Sequence, residues 1–140
     1  MSEQLSVYVL DTSAWLTLIE DEAGADEVQE LLENAAVGRV IVLTSFMSFM
    51  EVYYITLQER EHAEAQSRLD LMAALPVLRI ESSGALAMRA AMLKAGHRIS
   101  VADAWIAALA QEHDAILVHK DPEFEQMDSI VQLFSLPYKS

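Results

Sequence analysis

Four acidic residues stand where a carboxylate is conspicuous. Asp11 directly follows the apolar run SVYVL, Asp121 follows AILVHK, and Asp103 lies three residues after Ser100 in SVADAW. Glu51 sits inside FMSFMEVYYI, a stretch that is otherwise almost wholly apolar. A buried carboxylate is costly unless a cation meets it. If these acids come together, each like-charged pair about 4 Å apart repels by roughly 4 kcal/mol at an effective dielectric of about 20. A hard divalent cation would reverse that balance, because Mg²⁺ and Mn²⁺ take oxygen ligands. Such a site can polarise a phosphodiester and activate water for in-line attack.

Each acid also has a purely structural explanation. In DTSAW, Asp11 could cap a helix. SVAD is a capping-box pattern, in which Asp103 would reach back to Ser100. In DPEF, Asp121 could be an N-cap with Pro122 at the first helical position. Glu51 is mid-helix and has no cap to make; its alternative is a solvated stripe between apolar faces.

The elements around the acids decide whether they can meet. SVYVL (6–10), RVIVLT (39–44), VLRI (77–80), AILVH (115–119) and IVQLF (130–134) read as short strands. Helical spacing fits Ala14 to Ile19, GADEVQELLENA after Gly24, and the segment carrying Glu51, with helical sequence continuing to Pro76. It also fits GALAMRAAMLKAG (84–96), between two glycines, and SVADAWIAALAQEH. Thr44 and Ser45 can cap the helix that carries Glu51. Strands alternating with helices predict an α/β fold, a three-layer α/β/α arrangement around a parallel sheet of about five strands. Ligands of such sheets bind outside the carboxyl ends of the strands, where Asp11 and Asp121 fall. Helices that follow parallel strands begin on the same edge, which brings Asp103 there.

The chain has 140 residues and is 53% hydrophobic, which suits one folded domain over 1–140 rather than a disordered chain. No repeat or linker interrupts it, and the C-terminal SLPYKS is expected to fray. No apolar run approaches the ~18 residues of a membrane span, and the N-terminus lacks the pattern of a signal peptide. With no cysteine, disulfides and thiolate metal sites are excluded. The expected location is the cytoplasm. Acids outnumber Lys and Arg by 22 to 9, for a net charge of −13. That sign disfavours a generic nucleic-acid coat and favours cations or a basic partner.

The stretches VLDTSAWL (9–16), TSFMSFMEVYY (44–54), SVADAWIAALAQEHDAILVHKD (100–121) and DPEF (121–124) together resemble the PIN-domain family, and within it the VapC-type toxin ribonucleases. The resemblance spans the chain, and the third stretch is its most specific part. It implies the α/β/α fold and an acidic metal site of Asp11, Glu51, Asp103 and Asp121, with Asp11 and Asp103 as chief ligands. Glu51 would complete the site or orient a metal-bound water, and Asp121 would support a second metal or the attacking water. Ser13 matches a small hydroxyl residue that orients the site. The implied activity is endoribonuclease cleavage of RNA with one or two Mg²⁺ or Mn²⁺ ions. The implied partners are a second copy, in a homodimer, and a cognate VapB-type antitoxin. His119 stands where Thr or Ser is commoner, and could meet metal or phosphate or be structural. Glu123 stands where a second Asp is frequent, and could widen the acidic cluster or favour the start of a short helix.

RNA must then be reconciled with an acidic chain. Arg89, Lys94, His97 and Arg98 fall just before Asp103 and could guide phosphates to the site, or lie on a solvated face. Trp105 could stack on a base or pack with Ile106 and Leu109. Tyr53 and Tyr54 could line the groove or a dimer contact, and Met47 and Met50 read as core filler. A haloacid-dehalogenase-type phosphatase would want a second Asp where Ser13 stands. A receiver domain would want an acid at the end of RVIVLTS. A PIN scaffold that binds without cutting, and a housekeeping RNase without an antitoxin, are the remaining alternatives.

Overall fold

The structure is a computed structural model that describes residues 4–139; the first three residues of the N-terminal stretch read above, and Ser140, lie outside the described residues. Its elements are β1 (Ser6–Leu10), α1 (Thr12–Ile19), α2 (Ala25–Ala36), β2 (Val40–Ser45), α3 (Phe46–Glu59), α4 (His62–Ala74), β3 (Leu78–Ile80), α5 (Gly84–Gly96), α6 (Val101–Glu112), β4 (Ile116–His119), a 3-10 helix (Pro122–Met127) and β5 (Gln132–Ser135). The five strands form one parallel sheet in the order β3-β2-β1-β4-β5.

Strand side chains alternate between two cores, as a sheet covered on both faces requires. Val9 points into a cluster with Leu93, Ile106, Leu109 and Phe124, under α5, α6 and the 3-10 helix. Leu10 points into the opposite cluster with Trp15, Val28, Val52 and Met72, under α1 to α4. Helix α6 buries eight of its twelve residues, five of them alanines. Small side chains let it lie close on the sheet, and that central position carries Asp103 into the interior. The strand order reverses between β1 and β4, so the crevice at their carboxyl ends is the switch point where ligands of such sheets bind.

Several boundaries differ from the sequence reading, each for a visible reason. Asp11 itself caps α1, so the helix begins at Thr12 rather than Ala14. The long helical stretch before Pro76 breaks at Arg60 and Glu61, with neither Gly nor Pro to signal it. The break folds α4 back on α3, where buried Arg68 reaches Thr56 Oγ1 (3.2 Å), Glu64 (3.3 Å) and Glu20 (3.5 Å). Ile130 and Val131 are held in a turn by N–H bonds to Met127 O (3.0 and 2.9 Å), so the last strand starts at Gln132. The C-terminal segment does not fray within the described residues. Leu136 donates its N–H to His119 O (2.7 Å) and is 1% exposed. Among the described residues, no helix is long and apolar enough to cross a membrane.

The C-terminal segment also explains Gly24, the αL residue before α2 (φ 104°). A Cβ there would lie 3.1 Å from both Leu136 Cβ and Pro137 Cδ. Strained backbone and close contact together are expected to make Gly24→Ala destabilising by about 2 kcal/mol in equilibrium urea unfolding; an unchanged midpoint would contradict this packing.

Candidate active site

Asp11 answers both of its sequence readings, one with each oxygen. Its N–H still bonds across the sheet to Val118 O (2.9 Å), which fixes the residue at the end of β1. Oδ2 caps α1, accepting from Ser13 N–H (3.0 Å) and from the Ser13 hydroxyl. Oδ1 is buried with no hydrogen-bond partner among the described residues. The Ser13 hydroxyl in turn accepts the N–H of Lys120 (2.8 Å), tying the end of β1 to the loop that carries Asp121. Asp121 divides its role likewise: Oδ1 caps the 3-10 helix through Glu123 N–H (3.0 Å).

Asp103 enters from α6. Ser100 is the N-cap and accepts Asp103 N–H (3.0 Å), so the cap is made by the serine hydroxyl on the backbone. One carboxylate oxygen each from Asp103, Asp121 and Glu123 lies within 4.8 Å of the others. Glu123 therefore joins the acidic cluster while also standing in the first turn of the 3-10 helix.

Glu51 comes from α3 and is met by a hydroxyl. Thr12 Oγ1 donates to Glu51 Oε1 (2.6 Å) and lies 3.0 Å from Ser48 Oγ, with Thr12 and Ser48 both buried. Thr12 was missed in the sequence because its partner is 39 residues away; its only signal was a hydroxyl residue inside DTS. Nearby, Trp15 Nε1 donates to Thr44 Oγ1 (2.9 Å), so Thr44 braces α1 while Ser45 alone caps α3.

The carboxylates feel one another. Burial pushes Asp103 up to about 8, helped by Asp11, Asp121 and Glu51 and opposed by the Ser100 hydroxyl. Burial pushes Asp11 up to about 7; the Ser13 bonds oppose it, and Glu51 and Asp121 add to it. Glu51 is raised by burial, against the Thr12 bond and with a contribution from Asp121. Among the described residues, no Lys, Arg or His side chain pairs with any of these acids. Two like charges 4.8 Å apart repel by about 3–4 kcal/mol at an effective dielectric of about 20. An all-oxygen donor set, uncompensated charge and the orphaned Asp11 Oδ1 together fit a hard divalent cation.

The flanking residues sort differently. His119 is fully buried, and its Nδ1 accepts Asp121 N–H (3.1 Å), which makes Nε2 the protonated nitrogen of the neutral ring. Burial also lowers its pKa, against the contributions of Asp121 and Glu125. Packed on Phe124 (5.3 Å between ring centroids), it braces the Asp121 turn; its Nδ1 lone pair is taken and cannot bind a metal ion, while its Nε2 is buried without a partner among the described residues. Lys94 and Arg98 are exposed and His97 is half-buried with Nδ1 on Leu93 O (2.9 Å). Arg98 reaches the edge of the site through its backbone, which exchanges hydrogen bonds with Gln126 of the 3-10 helix (3.0 and 3.3 Å). Arg89 is bound to Gln111 (3.0 Å). Trp105 is half-buried, edge-on to Phe46 (5.2 Å). Tyr53 pairs with His62 (3.0 Å), Tyr54 is exposed, and Met50 is 53% exposed rather than core filler.

A family model of the PIN domain matches residues 8–130. The chain belongs to the PIN domain family. This PIN domain is 28% identical over 138 residues to a protein named VapC ribonuclease Mb1587 from Mycobacterium bovis, an alignment covering 94% of this chain and 98% of the relative. The same figures hold for Ribonuclease VapC11 of Mycobacterium tuberculosis. Among solved structures it is similar to VapBC2 from Rickettsia felis bound to a promoter DNA fragment (TM-score 0.76, 21% identity, 94% of this chain and 99% of that one). It is also similar to Mycobacterium tuberculosis VapC20, described as a sarcin-ricin loop cleaving toxin (TM-score 0.68, 19% identity, 87% and 95%).

The raised carboxyls carry a stability signature. An acid whose folded pKa lies above its unfolded value contributes stability that is full below the unfolded pKa and lost as pH rises through the folded one. For Asp103 that window runs from 3.8 to about 8. Without divalent ions, Asp103→Asn is expected to match the native protein near pH 4 and to exceed it by about 1–3 kcal/mol at pH 8 in urea unfolding, since the amide cannot ionise. A difference that stays flat with pH would contradict the burial assigned to this carboxyl.

Proposed function

We propose that this chain is a divalent-metal-dependent endoribonuclease of the VapC type, the toxin of a VapBC-type toxin–antitoxin pair. The observation that carries the reading is the set of five acids, Asp11, Glu51, Asp103, Asp121 and Glu123, converging on the β1/β4 switch point with no cationic side chain paired to them among the described residues. Such an arrangement works against stability and has a use only when charge is brought in from outside. The names of the similar proteins support ribonuclease activity and an antitoxin partner.

Asp11, through its unpartnered Oδ1, and Asp103 would be the chief ligands of Mg²⁺ or Mn²⁺. Asp121 and Glu51 would complete the site, with Glu123 at its exposed mouth. One or two such ions would supply Lewis acidity toward the phosphodiester and toward the attacking water. The protein supplies position. Ser13 holds Asp11 to the Asp121 loop, Thr12 fixes the Glu51 carboxylate, and His119 braces the backbone of Asp121. Glu51, its proton affinity raised by burial, would hold the proton that the attacking water gives up. The water oxygen bonds to phosphorus, the bond to the leaving ribose oxygen breaks, and that oxygen takes a proton.

Ions neutralise part of the acidic field, and Lys94, His97 and Arg98 would offer phosphate contacts on the exposed flank. The same field suits a basic antitoxin tail. The free protein is expected to be a homodimer, with the exposed Met88 and Met92 of α5 offering an apolar stripe for self-association; its mass in light scattering checks this.

The test is 5′-end mapping of total RNA incubated with purified, antitoxin-free protein and Mg²⁺ or Mn²⁺. New discrete ends are expected from the native protein, and Asp11→Asn and Asp103→Asn are each expected to lose about 10²-fold or more in rate. Identical end maps for native and variant proteins would instead favour a PIN scaffold that binds without cutting.

A further inference from the structure

A cavity of about 360 Å³ opens beside the acidic cluster, sharing Ser13 and Asp121 as one wall. That volume lies at the low end of small-molecule sites. Its remaining walls are Leu16, Pro122 and Tyr138, apolar or aromatic, together with Lys120, Lys139 and Glu22. The cavity exists because the C-terminal segment packs back on the β4 end: Leu136 bonds to His119 O, and the Tyr138 ring lies 6.2 Å from that of His119.

Its electrostatics differ from those of the neighbouring acids, because here carboxylates are met by ammonium groups. Glu22 receives two ammonium groups, Lys120 Nζ at 3.5 Å and Lys139 Nζ at 2.9 Å. With Asp121 in the wall, two ammonium groups stand against two carboxylates, so the cavity is locally neutral within a chain whose net charge is −13. The Lys120 side chain is 6% exposed and fixed in place, while that of Lys139 is 71% exposed and free to turn toward a ligand. Burial works against charge on Glu22, but the lysines outweigh it and hold the carboxyl below its ordinary range, so the ion pairs are formed at neutral pH.

We propose that this cavity is a nucleotide subsite, taking the base of an RNA residue next to the scissile bond against Tyr138, Leu16 and Pro122, and its phosphate at Lys139 and Lys120. Base faces stack on aromatic rings irrespective of sequence, and ammonium groups attract phosphate. The position is right for substrate, since Asp121 separates this cavity from the place where the phosphodiester would be cut. A basic peptide is the poorer occupant, because Glu22 is already engaged by two ammonium groups here while the unpaired carboxylates attract it on the other side of Asp121. The inference rests on the ribonuclease reading above and adds to it where the substrate strand leaves the acidic cluster.

The experiment is a chemical-shift titration of the protein in excess Mg²⁺ with each of the four nucleoside 5′-monophosphates, paired with RNA cleavage kinetics. Saturable shifts are expected at Leu16, Lys120 and Tyr138. Tyr138→Leu, which keeps the wall apolar, is expected to weaken nucleotide binding about tenfold. Lys139→Ala, at an exposed position that does not threaten folding, is expected to do so by a similar factor. Both variants are expected to raise KM for RNA with kcat nearly kept, the mark of lost uniform binding. If the native protein cuts RNA but nucleotides leave the cavity unshifted and both variants keep the native KM, the subsite is overturned and the ribonuclease reading stands. Nucleotides bound in the cavity of a protein that cuts no RNA would support the subsite and overturn the ribonuclease reading. Shifts produced there by an arginine-rich peptide and not by nucleotides would overturn the subsite.

Discussion

Repulsion among carboxylates at the ends of β1 and β4 is the constraint around which the other features are arranged. Asp11, Glu51, Asp103 and Asp121 are carried to the switch point by different elements, and each is positioned there with the help of a neutral group. Ser13 holds one oxygen of Asp11, Thr12 holds Glu51, the Ser100 hydroxyl starts the helix that delivers Asp103, and a neutral imidazole supports the turn of Asp121. Hydroxyls and backbone amides fix direction without cancelling charge.

The two cores serve the same end. Alanine-rich α6 packs closely on the sheet and so brings an acid inside, at the cost of lifting that acid's pKa. On the opposite face, Trp15 and Thr44 lock α1 against β2, which sets the distance between Asp11 and the start of α3. Positive charge is kept beyond Asp121: Lys120 and Lys139 meet at Glu22, one step from the carboxylates. The result is a step from uncompensated to compensated charge at the edge of the sheet, which suits a ligand that is itself a chain of phosphates and bases.

Much of this was legible in the sequence because it depends on local rules. Strand runs ending in acids, SVAD, DPEF and a carboxylate inside FMSFMEVYYI placed the four acids and the parallel fold. Capping and metal binding looked like competing explanations for Asp11 and Asp121, but a carboxylate has two oxygens and can serve both. What stayed hidden depends on distant contacts. Thr12 meets Glu51 across the gap between α1 and α3, the α3/α4 break follows the burial of Arg68, and the C-terminal segment is held by Gly24 and His119 rather than by its own periodicity. Met50 looked like core and lies outside because α3 presents it away from both clusters.

The central claim is that these acids are gathered to hold a divalent ion. A crystal soaked in or grown with Mn²⁺, measured at the manganese absorption edge, tests it most directly. An anomalous peak is expected within bonding distance of Asp11 Oδ1 and of Asp103, with Asp121 or Glu51 completing the oxygen shell. A clear map at saturating Mn²⁺ with no peak among these carboxylates, or with a side-chain ammonium or guanidinium of the same chain in that place, would contradict it.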